Sequence, residues 1–468
     1  MVFSSLTFIF LFLPITLILY FIIKDKYRNH LLLIISLLFY SWGEPKYIIL
    51  MLLSLIVNYF IAIYIDKYKK HKLISKTLLI TSLIFNIGIL FVFKYLDFTI
   101  LNINNLFNTN IKLFNLTLPI GISFYTFQIL SYVVDVYNRK VKVQKDFLML
   151  STYIAFFPQL IAGPIVRYET IEKALTKRKD NINNIAIGLK RFIIGLGKKI
   201  IIANNVAIIA DTIYNSTDIN NYGFIIIFLA SIAYTLQIYY DFSGYSDMAI
   251  GLGKMFGFDF LENFNYPYIS QSITDFWRRW HMSLSSWFRD YVYIPLGGNR
   301  VNKLKWIRNI LIVWSLTGLW HGANWNYIIW GLYYAIILLI EKLFLNKILN
   351  KLPKIIKWIY TFILINVGWM IFRLEDINVL GHVLSAAITF KQSDIISFLT
   401  DNYTLINNIP FIILGIIFMF PIKEKIDQKY QNNNIYNIIE LISLVMILVI
   451  SILFLINNSY NPFIYFRF

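Results

Sequence analysis

The chain has 468 residues, of which 58% are apolar and 15% are charged, and its mean hydropathy is +0.62. Apolar stretches long enough to cross a bilayer recur throughout, which excludes the two or three soluble domains that this length alone would suggest. The formal charge of +18 comes from lysines and arginines in short loops between these stretches, a pattern that orients membrane helices and does not indicate nucleic acid, and the lack of cysteine excludes disulfides and thiolate catalysis.

The first quarter of the chain predicts three full crossings. Leu6–Ile23 has neither a basic leader nor a small-residue cleavage site, so we interpret it as a retained first helix and not as a signal peptide. The basic residues Lys24–Arg28 that follow should be cytoplasmic, which puts the N-terminus outside. Tyr47–Ile65 and Thr77–Leu96 also cross. The asparagine-rich stretch from there to Leu116 predicts an outer loop.

The next stretches are less regular. Leu148–Val166 contains two prolines and has basic residues on both sides, which predicts a re-entrant or horizontal segment. Ile185–Tyr214 carries four basic residues within a helical pattern, so we expect it to lie partly at the interface. Phe224–Tyr240 is a crossing, and it runs directly into a segment with Asp241 and Asp247. These two aspartates predict either a helix cap or a buried hydrogen-bond acceptor.

The later crossings complete an all-α polytopic membrane protein. They are Ile307–Trp320, Trp325–Ile340, Ile355–Phe372, Ile409–Phe420 and Ile438–Ile456. The total is roughly eleven spanning or re-entrant helices at about 20 residues each. The alternation of basic and less basic loops puts the C-terminus outside.

Thr274–Tyr291 is rich in aromatic and basic residues. On a helix its aromatic side chains share one arc, with Arg278 and Arg289 opposite and His281 at the edge of the apolar arc. This pattern is typical of an amphipathic helix at the membrane surface. Alternatively, Arg278, Arg279 and Arg289 hold a phosphate-bearing donor, because arginine forks pair bidentately with phosphate.

A single histidine, His321, ends a long apolar run and is flanked by Gly318 and Gly322. An ionisable side chain at membrane depth is costly unless it faces the interior of a bundle or a watery cavity. The flanking glycines allow a helix, a ligand or backbone to approach closely. His321 is therefore either a catalytic base in a membrane cavity or a histidine hydrogen-bonded between helices. No two histidines have metal-ligand spacing, so zinc is not expected.

Three blocks of sequence resemble the membrane-bound O-acyltransferase family: Phe276–Ser285 (FWRRWHMSLS), Phe288–Arg300 (FRDYVYIPLGGNR) and Leu319–Trp325 (LWHGANW). Further motifs of the same kind are Leu118–Tyr125, Phe157–Pro164 and Tyr240–Asp247. The resemblance spans nearly the whole chain. It is nearest to the alginate O-acetylation branch, which also includes bacterial peptidoglycan and cellulose acetylation proteins.

The resemblance implies acyl transfer through a tunnel within a helical membrane domain. His321 matches the principal catalytic histidine of the family and His281 its second functional histidine. Transfer from a thioester to a hydroxyl needs a base near neutral pH and neither a metal nor a bound cofactor. Asn324, Ser315 and nearby tryptophan N–H groups are candidate donors to the oxyanion. We expect one membrane-embedded domain, 1–468, with N-terminal helices in 1–115, a catalytic core in 116–345, and C-terminal helices and an extracytoplasmic tail in 346–468.

The function implied is an O-acetyltransferase component of the bacterial cytoplasmic membrane. It would pass acetyl groups from cytoplasmic acetyl-CoA outward to a polysaccharide, with membrane lipid around it and a secreted SGNH-type acetyltransferase as partner. The first alternative is D-alanyl transfer to teichoic acid from a carrier-protein thioester, although relatives of that kind lack the Ile294–Arg300 block. The second is a transporter or flippase, which would need internal repeats or several intramembrane charges, and neither is evident.

The last eight residues, Asn461–Phe468, contain four aromatic residues and are expected to emerge outside. The simpler interpretation is an aromatic anchor at the membrane interface. In the alternative, the Tyr465 phenol carries an acyl group from the tunnel to an external transferase. The Phe-x-Tyr-x-x-Phe pattern resembles the terminal motif of a small partner protein in the D-alanylation system.

Overall fold

The computed structural model describes residues 1–178, 181–430, 433–457, 461 and 464, and every regular element in this part of the chain is a helix. The predicted all-α membrane architecture is therefore confirmed. Among the described residues, seven helices are long and apolar enough to cross a membrane, or eight if the bent pair Ile395–Asp401 and Leu405–Phe418 is one span. The predicted count of roughly eleven spanning or re-entrant helices is not confirmed, since several apolar stretches form short helices and one forms a bent pair.

The described residues form two compact units. The first comprises Met1–Phe192 and Met248–Leu261, and the second comprises Ile193–Asp247 and Glu262–Phe468. Four long helices matter most below, and they are the lysine helix (Ile182–Tyr214), the aspartate helix (Phe224–Met255), the histidine helix (Lys303–His321) and the Glu341 helix (Trp325–Leu349). The division into segments 1–115, 116–345 and 346–468 stays a prediction.

The remaining helical elements follow in chain order within each unit. In the first unit they are Phe8–Phe12, Leu13–Ile22, Asp25–Tyr27, Arg28–Gly43, Ile48–Lys67, Lys72–Lys94, Leu96–Phe107, Ile122–Tyr137, Phe147–Ala155, Phe157–Leu160 and Tyr168–Thr176. In the second they are Ile219–Asn221, Pro267–Ile269, Ile273–Arg279, Met282–Phe288, Arg289–Tyr293, Lys354–Arg373, Ile377–Ile388, Ile395–Asp401, Tyr403–Asn408, Ile409–Phe418, Ile422–Tyr430 and Asn434–Asn457.

The asparagine-rich stretch in the first unit is not a loop throughout, as predicted, because its first half forms the helix Leu96–Phe107. Asn108 ends this helix in a left-handed conformation, which asparagine tolerates better than most residues. The Asp97 carboxylate accepts hydrogen bonds from the backbone N–H groups of Phe114 and Asn115, at 2.9 and 2.8 Å. These bonds hold the segment that follows the helix against its first turn.

The proline-containing segment of the first unit does not form one crossing helix. It contains the two short helices Phe147–Ala155 and Phe157–Leu160, and Pro158 lies at the start of the second, where its missing N–H is harmless. The irregular backbone that follows is buried. This agrees with the expectation that irregular backbone in such a protein is covered by other parts of the chain.

The two aspartates of the second unit are not helix caps. Asp241 and Asp247 lie within the continuous 32-residue aspartate helix. Each forms an ion pair with the lysine helix at a distance of 2.6 Å, Asp241 with Lys199 and Asp247 with Lys198. The expectation that Ile185–Tyr214 lies partly at the membrane interface stays a prediction, but the ammonium groups of both lysines bind carboxylates of the neighbouring helix.

The histidine helix and the Glu341 helix pack closely because glycines face each other at the crossing. A Cβ on Gly318 would clash with the carbonyl oxygen of Tyr327, and one on Gly331 would clash with that of Trp314. This confirms that Gly318 removes bulk so that another helix can approach. The close contact fixes the end of the histidine helix, where His321 lies.

We expect Gly331→Ala to destabilise the protein by about 1–3 kcal/mol, because the added methyl group has no room between the two helices. The measurement is the melting temperature of the detergent-solubilised protein. Gly88→Ala is the matched control, since a Cβ there meets nothing within 4 Å and alanine favours a helix. Equal melting temperatures for the two variants would contradict the packing argument.

Candidate active site

The predicted amphipathic helix Thr274–Tyr291 is broken at its centre. It forms two helices of seven residues each, Ile273–Arg279 and Met282–Phe288, and His281 lies between them with a φ of 44°. Such a left-handed conformation costs a residue with a side chain roughly 1–2 kcal/mol. Hydrogen bonds to Asn263 offset this cost, since its backbone carbonyl accepts from Met282 N–H at 2.9 Å. The prediction of one continuous helix is wrong because this distant segment competes for the backbone.

The side chain of Asn263 also fixes the proton on His281. The Asn263 Oδ1 atom accepts from the Ser283 N–H at 3.2 Å and the Ser283 hydroxyl at 2.8 Å. A backbone N–H can only donate, so the atom it meets is the amide oxygen. The same oxygen lies 3.2 Å from His281 Nδ1, which must therefore donate its proton. This tautomer leaves the lone pair on Nε2.

His281 is buried with 1% exposure, and the ring of Phe242 meets it edge-on at a centroid distance of 4.5 Å. Burial among apolar rings lowers the pKa of His281 to about 3, because the charged imidazolium loses its hydration. His281 is consequently neutral at physiological pH. It is suited to accepting a hydrogen bond and not to acting as a fixed cation.

His321 is the last residue of the histidine helix, and its exposure is 6%. The rings of Trp320, Trp330 and Phe372 surround it edge-on at centroid distances of 5.0, 5.0 and 5.2 Å. Trp320 also lies 6.0 Å from the ring of His281, so one indole stands next to both imidazoles. A Cβ on residue 322 would clash with the Tyr327 ring, which accounts for a glycine directly after the histidine.

Both histidines line the same cavity, whose volume is about 250 Å³. Tryptophan, leucine and valine side chains form much of its wall, and the polar groups include Thr274, Ser285 and Thr317. Three cationic side chains also line it, namely Arg278, Arg289 and Lys342, whereas none of the lining residues is acidic. The arrangement combines two histidines with an excess of positive charge, as a site for an anionic substrate requires.

The arginines predicted to hold a donor separate into two groups. Arg278 and Arg289 line the cavity, although Arg289 is ion-paired with Asp290 at 2.6 Å. Arg279 does not line the cavity, because it lies on another face of the helix and pairs with Asp275, one turn earlier, at 3.0 Å. The structure thus brings two of the three arginines to the histidines.

Asn324 lies outside the cavity. Its side-chain oxygen caps the Glu341 helix by accepting from the Trp325 N–H at 2.6 Å, and its nitrogen reaches Glu375 at 3.4 Å. Ser315 is also absent from the cavity lining. Neither residue is placed to donate to an oxyanion there. Tyr465, the candidate acyl carrier, lies outside the described residues.

Two residues at the site, Glu341 and Lys342, were missed from the sequence. The fully buried Glu341 carboxylate accepts hydrogen bonds from the N–H groups of Ile273 and Thr274, at 2.7 and 2.9 Å, and so holds the start of the helix that carries Arg278. The adjacent Lys342 lines the cavity. The available signal was an acidic residue at the end of a 16-residue apolar run, where a charge needs a partner.

Comparisons with known proteins identify the family to which the chain is similar. The profile of the MBOAT, membrane-bound O-acyltransferase family, matches residues 34–381, which include both histidines. The chain is 42% identical over 397 residues to the probable alginate O-acetylase AlgI of Pseudomonas aeruginosa, covering 83% of this chain and 75% of that protein. It is 35% identical over 519 residues to the peptidoglycan O-acetyltransferase of Helicobacter pylori, covering 100% and 98%. It is also 35% identical to the teichoic acid D-alanyltransferase of Bacillus subtilis over 257 residues, covering 52% and 63%.

Proposed function

The chain belongs to the membrane-bound O-acyltransferase family, and on that premise we propose that it passes acetyl groups from cytoplasmic acetyl-CoA across the membrane for O-acetylation of an extracytoplasmic polysaccharide. It is a multi-pass membrane protein and an O-acyltransferase. The observation that carries the proposal is that His281 and His321 line one cavity together with Arg278 and Lys342, two cations for which the described residues show no ion pair. The proposed location is the bacterial cytoplasmic membrane.

His321 acts as the base in this proposal. It takes the proton from the acceptor hydroxyl as the oxygen attacks the thioester carbonyl, and the proton then passes to the sulfur that leaves as a thiol. The C–O bond forms and the C–S bond breaks, so the reaction needs no other reactant. The aromatic rings around His321 exclude water, which would otherwise compete with the acceptor. His281, held by Asn263, presents Nε2 to the same cavity and assists by hydrogen bonding.

Arg278 and Lys342 attract the phosphates of the donor. Within the described part of the chain, ion pairs engage Arg279 and Arg289 but neither Arg278 nor Lys342. The charges of Arg278 and Lys342 lie close enough to repel each other. Two like charges at one cavity are stabilised when an anion joins them, and coenzyme A carries several phosphate charges.

The relatives support a polysaccharide acceptor and an acetyl group. Proteins named for alginate and peptidoglycan acetylation match 83% and 100% of the chain, whereas the D-alanyltransferase of teichoic acid matches 52%. D-alanyl transfer therefore remains the less favoured alternative, and the transporter alternative is set aside because the family consists of acyltransferases.

A secreted SGNH-type enzyme would complete the transfer to the polymer. Polymer acetylation by the purified membrane protein alone would contradict the need for this partner.

His321→Ala should reduce acetylation of the polymer by roughly 10²–10⁴-fold, the usual contribution of a general base. The measurement is acetyl ester content in membranes that contain equal amounts of wild-type and variant protein. His382→Ala, which changes an exposed histidine of the same unit, is the control and should leave acetylation unchanged. A well-expressed His321→Ala protein with near wild-type acetylation would show that another group is the base.

Arg278→Gln or Lys342→Gln should each raise the KM for acetyl-CoA about tenfold or more. The reason is that a hydrogen bond to a charged group contributes roughly 1.5–3 kcal/mol to binding. The rate at saturating donor should change much less. Arg279→Gln is the matched control, because this neighbour pairs with Asp275 away from the cavity. If all three variants raise the KM equally, the effect is general attraction to a basic surface and the proposed donor site is wrong.

Tyr465 is proposed as a carrier that accepts the acetyl group on its phenol oxygen and releases it to the external transferase. Tyr465→Phe keeps nearly all of the aromatic area and removes the hydroxyl. The expected result is loss of polymer acetylation at normal protein levels, with an acetyl adduct detectable on this tyrosine in the wild-type protein by mass spectrometry. Full acetylation by the variant would leave only the anchoring role.

A further inference from the structure

The loop Ile294–Arg300 precedes the histidine helix and belongs to one of the sequence blocks that resemble the family. Its backbone turns sharply, because Gly297 and Gly298 have φ angles of 99° and 56°. A Cβ at residue 297 would also clash with the Val301 side chain. Both the left-handed backbone and the lack of space require glycine at this position, so the shape of the loop is closely specified.

A buried asparagine of the histidine helix holds this loop in place. The Asn309 side chain is fully buried, and its nitrogen donates hydrogen bonds to the carbonyls of Leu296 and Gly298, at 3.1 and 3.0 Å. Its oxygen accepts a hydrogen bond from the Arg308 guanidinium at 2.9 Å. An amide nitrogen has two N–H donors, so one side chain can bind both carbonyls at once. The contact therefore fixes two points of the loop against the helix.

The loop in turn fixes the Tyr293 side chain, which lines the cavity of the two histidines. The Gly298 N–H donates to the Tyr293 carbonyl at 2.8 Å, and a Cβ at residue 298 would lie 3.5 Å from the Tyr293 ring. The turn before the loop is wide, because the Ile294 N–H donates to the Arg289 carbonyl, at 2.8 Å. Such π-type turns are frequent at functional sites. The backbone after Tyr293 thus folds back over its ring.

The cavity has a buried end and a mouth, and Tyr293 lies at the mouth. Both histidines are buried, whereas the three cationic residues of the lining are exposed. Tyr293 is half-exposed, and the adjacent Ile294 is 57% exposed. The cavity therefore runs from a charged surface inward to the histidines. A donor that places its reactive group at the histidines has its remaining part beside the cations and the Tyr293 ring.

The cavity is too small to enclose a whole coenzyme A thioester. Its volume is about 250 Å³. Pockets that enclose drug-sized ligands, which are smaller than coenzyme A, have volumes of roughly 300–1,000 Å³. With the thioester at the histidines and the phosphates near the cations, the adenine ring at the far end of coenzyme A lies at the mouth. Aromatic side chains bind nucleic-acid bases by stacking on their faces, and Tyr293 is placed to bind adenine in this way.

We propose that the Tyr293 ring stacks on the adenine ring of the donor, and that Asn309 keeps Tyr293 in place by holding the loop. Tyr293 is then a specificity-determining residue for donors that carry an adenine nucleotide. Asn309 is a positioning residue, because it acts through the loop. The stacking rests on the proposed function, which supplies acetyl-CoA as the donor, whereas the holding of the loop rests only on the contacts of Asn309.

Tyr293→Ala should raise the KM for acetyl-CoA about tenfold, because a stacked base that loses its aromatic partner loses roughly this factor in binding. Tyr293→Phe keeps the ring and should change the KM by less than about twofold. The KM is measured by acetylation of the polymer in membranes that contain every component, so that the acetyl group has its natural acceptor. An equal rise for the two variants would overturn the stacking, and so would no rise for either.

The matched donor is acetyl-phosphopantetheine, which keeps the thioester arm and a phosphate of acetyl-CoA but lacks the adenine nucleotide. Tyr293→Ala should leave the KM for this donor unchanged. An equal rise in KM for both donors would show that Tyr293 contacts the arm or the phosphate, and the assignment to adenine would be wrong.

Asn309→Asp keeps the shape of the side chain and removes both N–H donors to the loop. It should raise the KM for acetyl-CoA as Tyr293→Ala does, with little change in kcat or in the KM for acetyl-phosphopantetheine. Combining the two substitutions should add little, because both remove the same contact. Asn299→Asp, at an exposed residue of the same loop, is the matched control. Gly297→Ala disturbs the loop without changing the histidine helix and must reproduce the effect of Asn309→Asp.

A fall in kcat with both donors, or full additivity of the two substitutions, would show that Asn309 only supports the fold. Either result would overturn its positioning role.

The holding of the loop can be measured without any donor, by thiol labelling, since the natural chain contains no cysteine. Leu296→Cys keeps the carbonyl that Asn309 binds. It should react with a water-soluble maleimide about tenfold faster when Asn309→Asp is also present, because two hydrogen bonds no longer oppose opening of the loop. Exposed Gln428→Cys should react at the same rate in both backgrounds. Equal rates for Leu296→Cys would overturn the role of Asn309.

The outcomes separate this inference from the proposed function. Failure of the wild-type protein to use acetyl-CoA would refute the proposed donor and the adenine contact together, with the labelling result still deciding the role of Asn309. Use of acetyl-CoA by the wild type, with an unchanged KM in Tyr293→Ala, would overturn the stacking and leave the proposed function intact.

Discussion

The arrangement of the second unit depends on the free energy cost of burying charged and polar groups away from water. Lys199 meets Asp241 inside the protein, and the Glu341 carboxylate meets the first N–H groups of a short helix. Asn263 similarly satisfies the backbone around His281. Each contact joins segments that are distant in the sequence, so the requirement for a partner determines which helices lie side by side. Apolar packing alone would not distinguish between many such pairings.

The cavity differs from these contacts, because some of its charged groups have no counter-ion among the residues that line it. Both histidines sit among aromatic rings, and burial keeps His281 neutral, while Arg278 and Lys342 contribute charge that no acidic residue of the cavity lining balances. A neutral imidazole can accept a hydrogen bond from a substrate, and the positive charges of Arg278 and Lys342 can attract an anionic one. Acyl transfer needs both features, since the base must be unprotonated and the thioester arrives on an anionic carrier.

The sequence identified the helical membrane architecture, and it singled out the two histidines that the structure brings to one cavity, because apolar runs and a lone buried histidine are local signals. It failed where distant residues compete. Helical periodicity predicted one helix through His281, but Asn263, 18 residues away, breaks it. Asp241 resembled a cap because its partner Lys199 lies 42 residues earlier on another helix. Arg279 could not be separated from Arg278 without knowing which helix face meets the cavity.

The Glu341 helix carries three contacts at fixed angles around its axis. Gly331 admits the histidine helix, Glu341 secures the helix that bears Arg278, and Lys342 lines the cavity. Each residue of an α-helix is rotated by about 100° from the one before it. One inserted or deleted residue between Gly331 and Glu341 would therefore turn the carboxylate away from its N–H partners while leaving the glycine crossing in place. The evolutionary consequence is that this stretch should accept many substitutions but few changes of length, and that loop insertions in such enzymes should accumulate elsewhere.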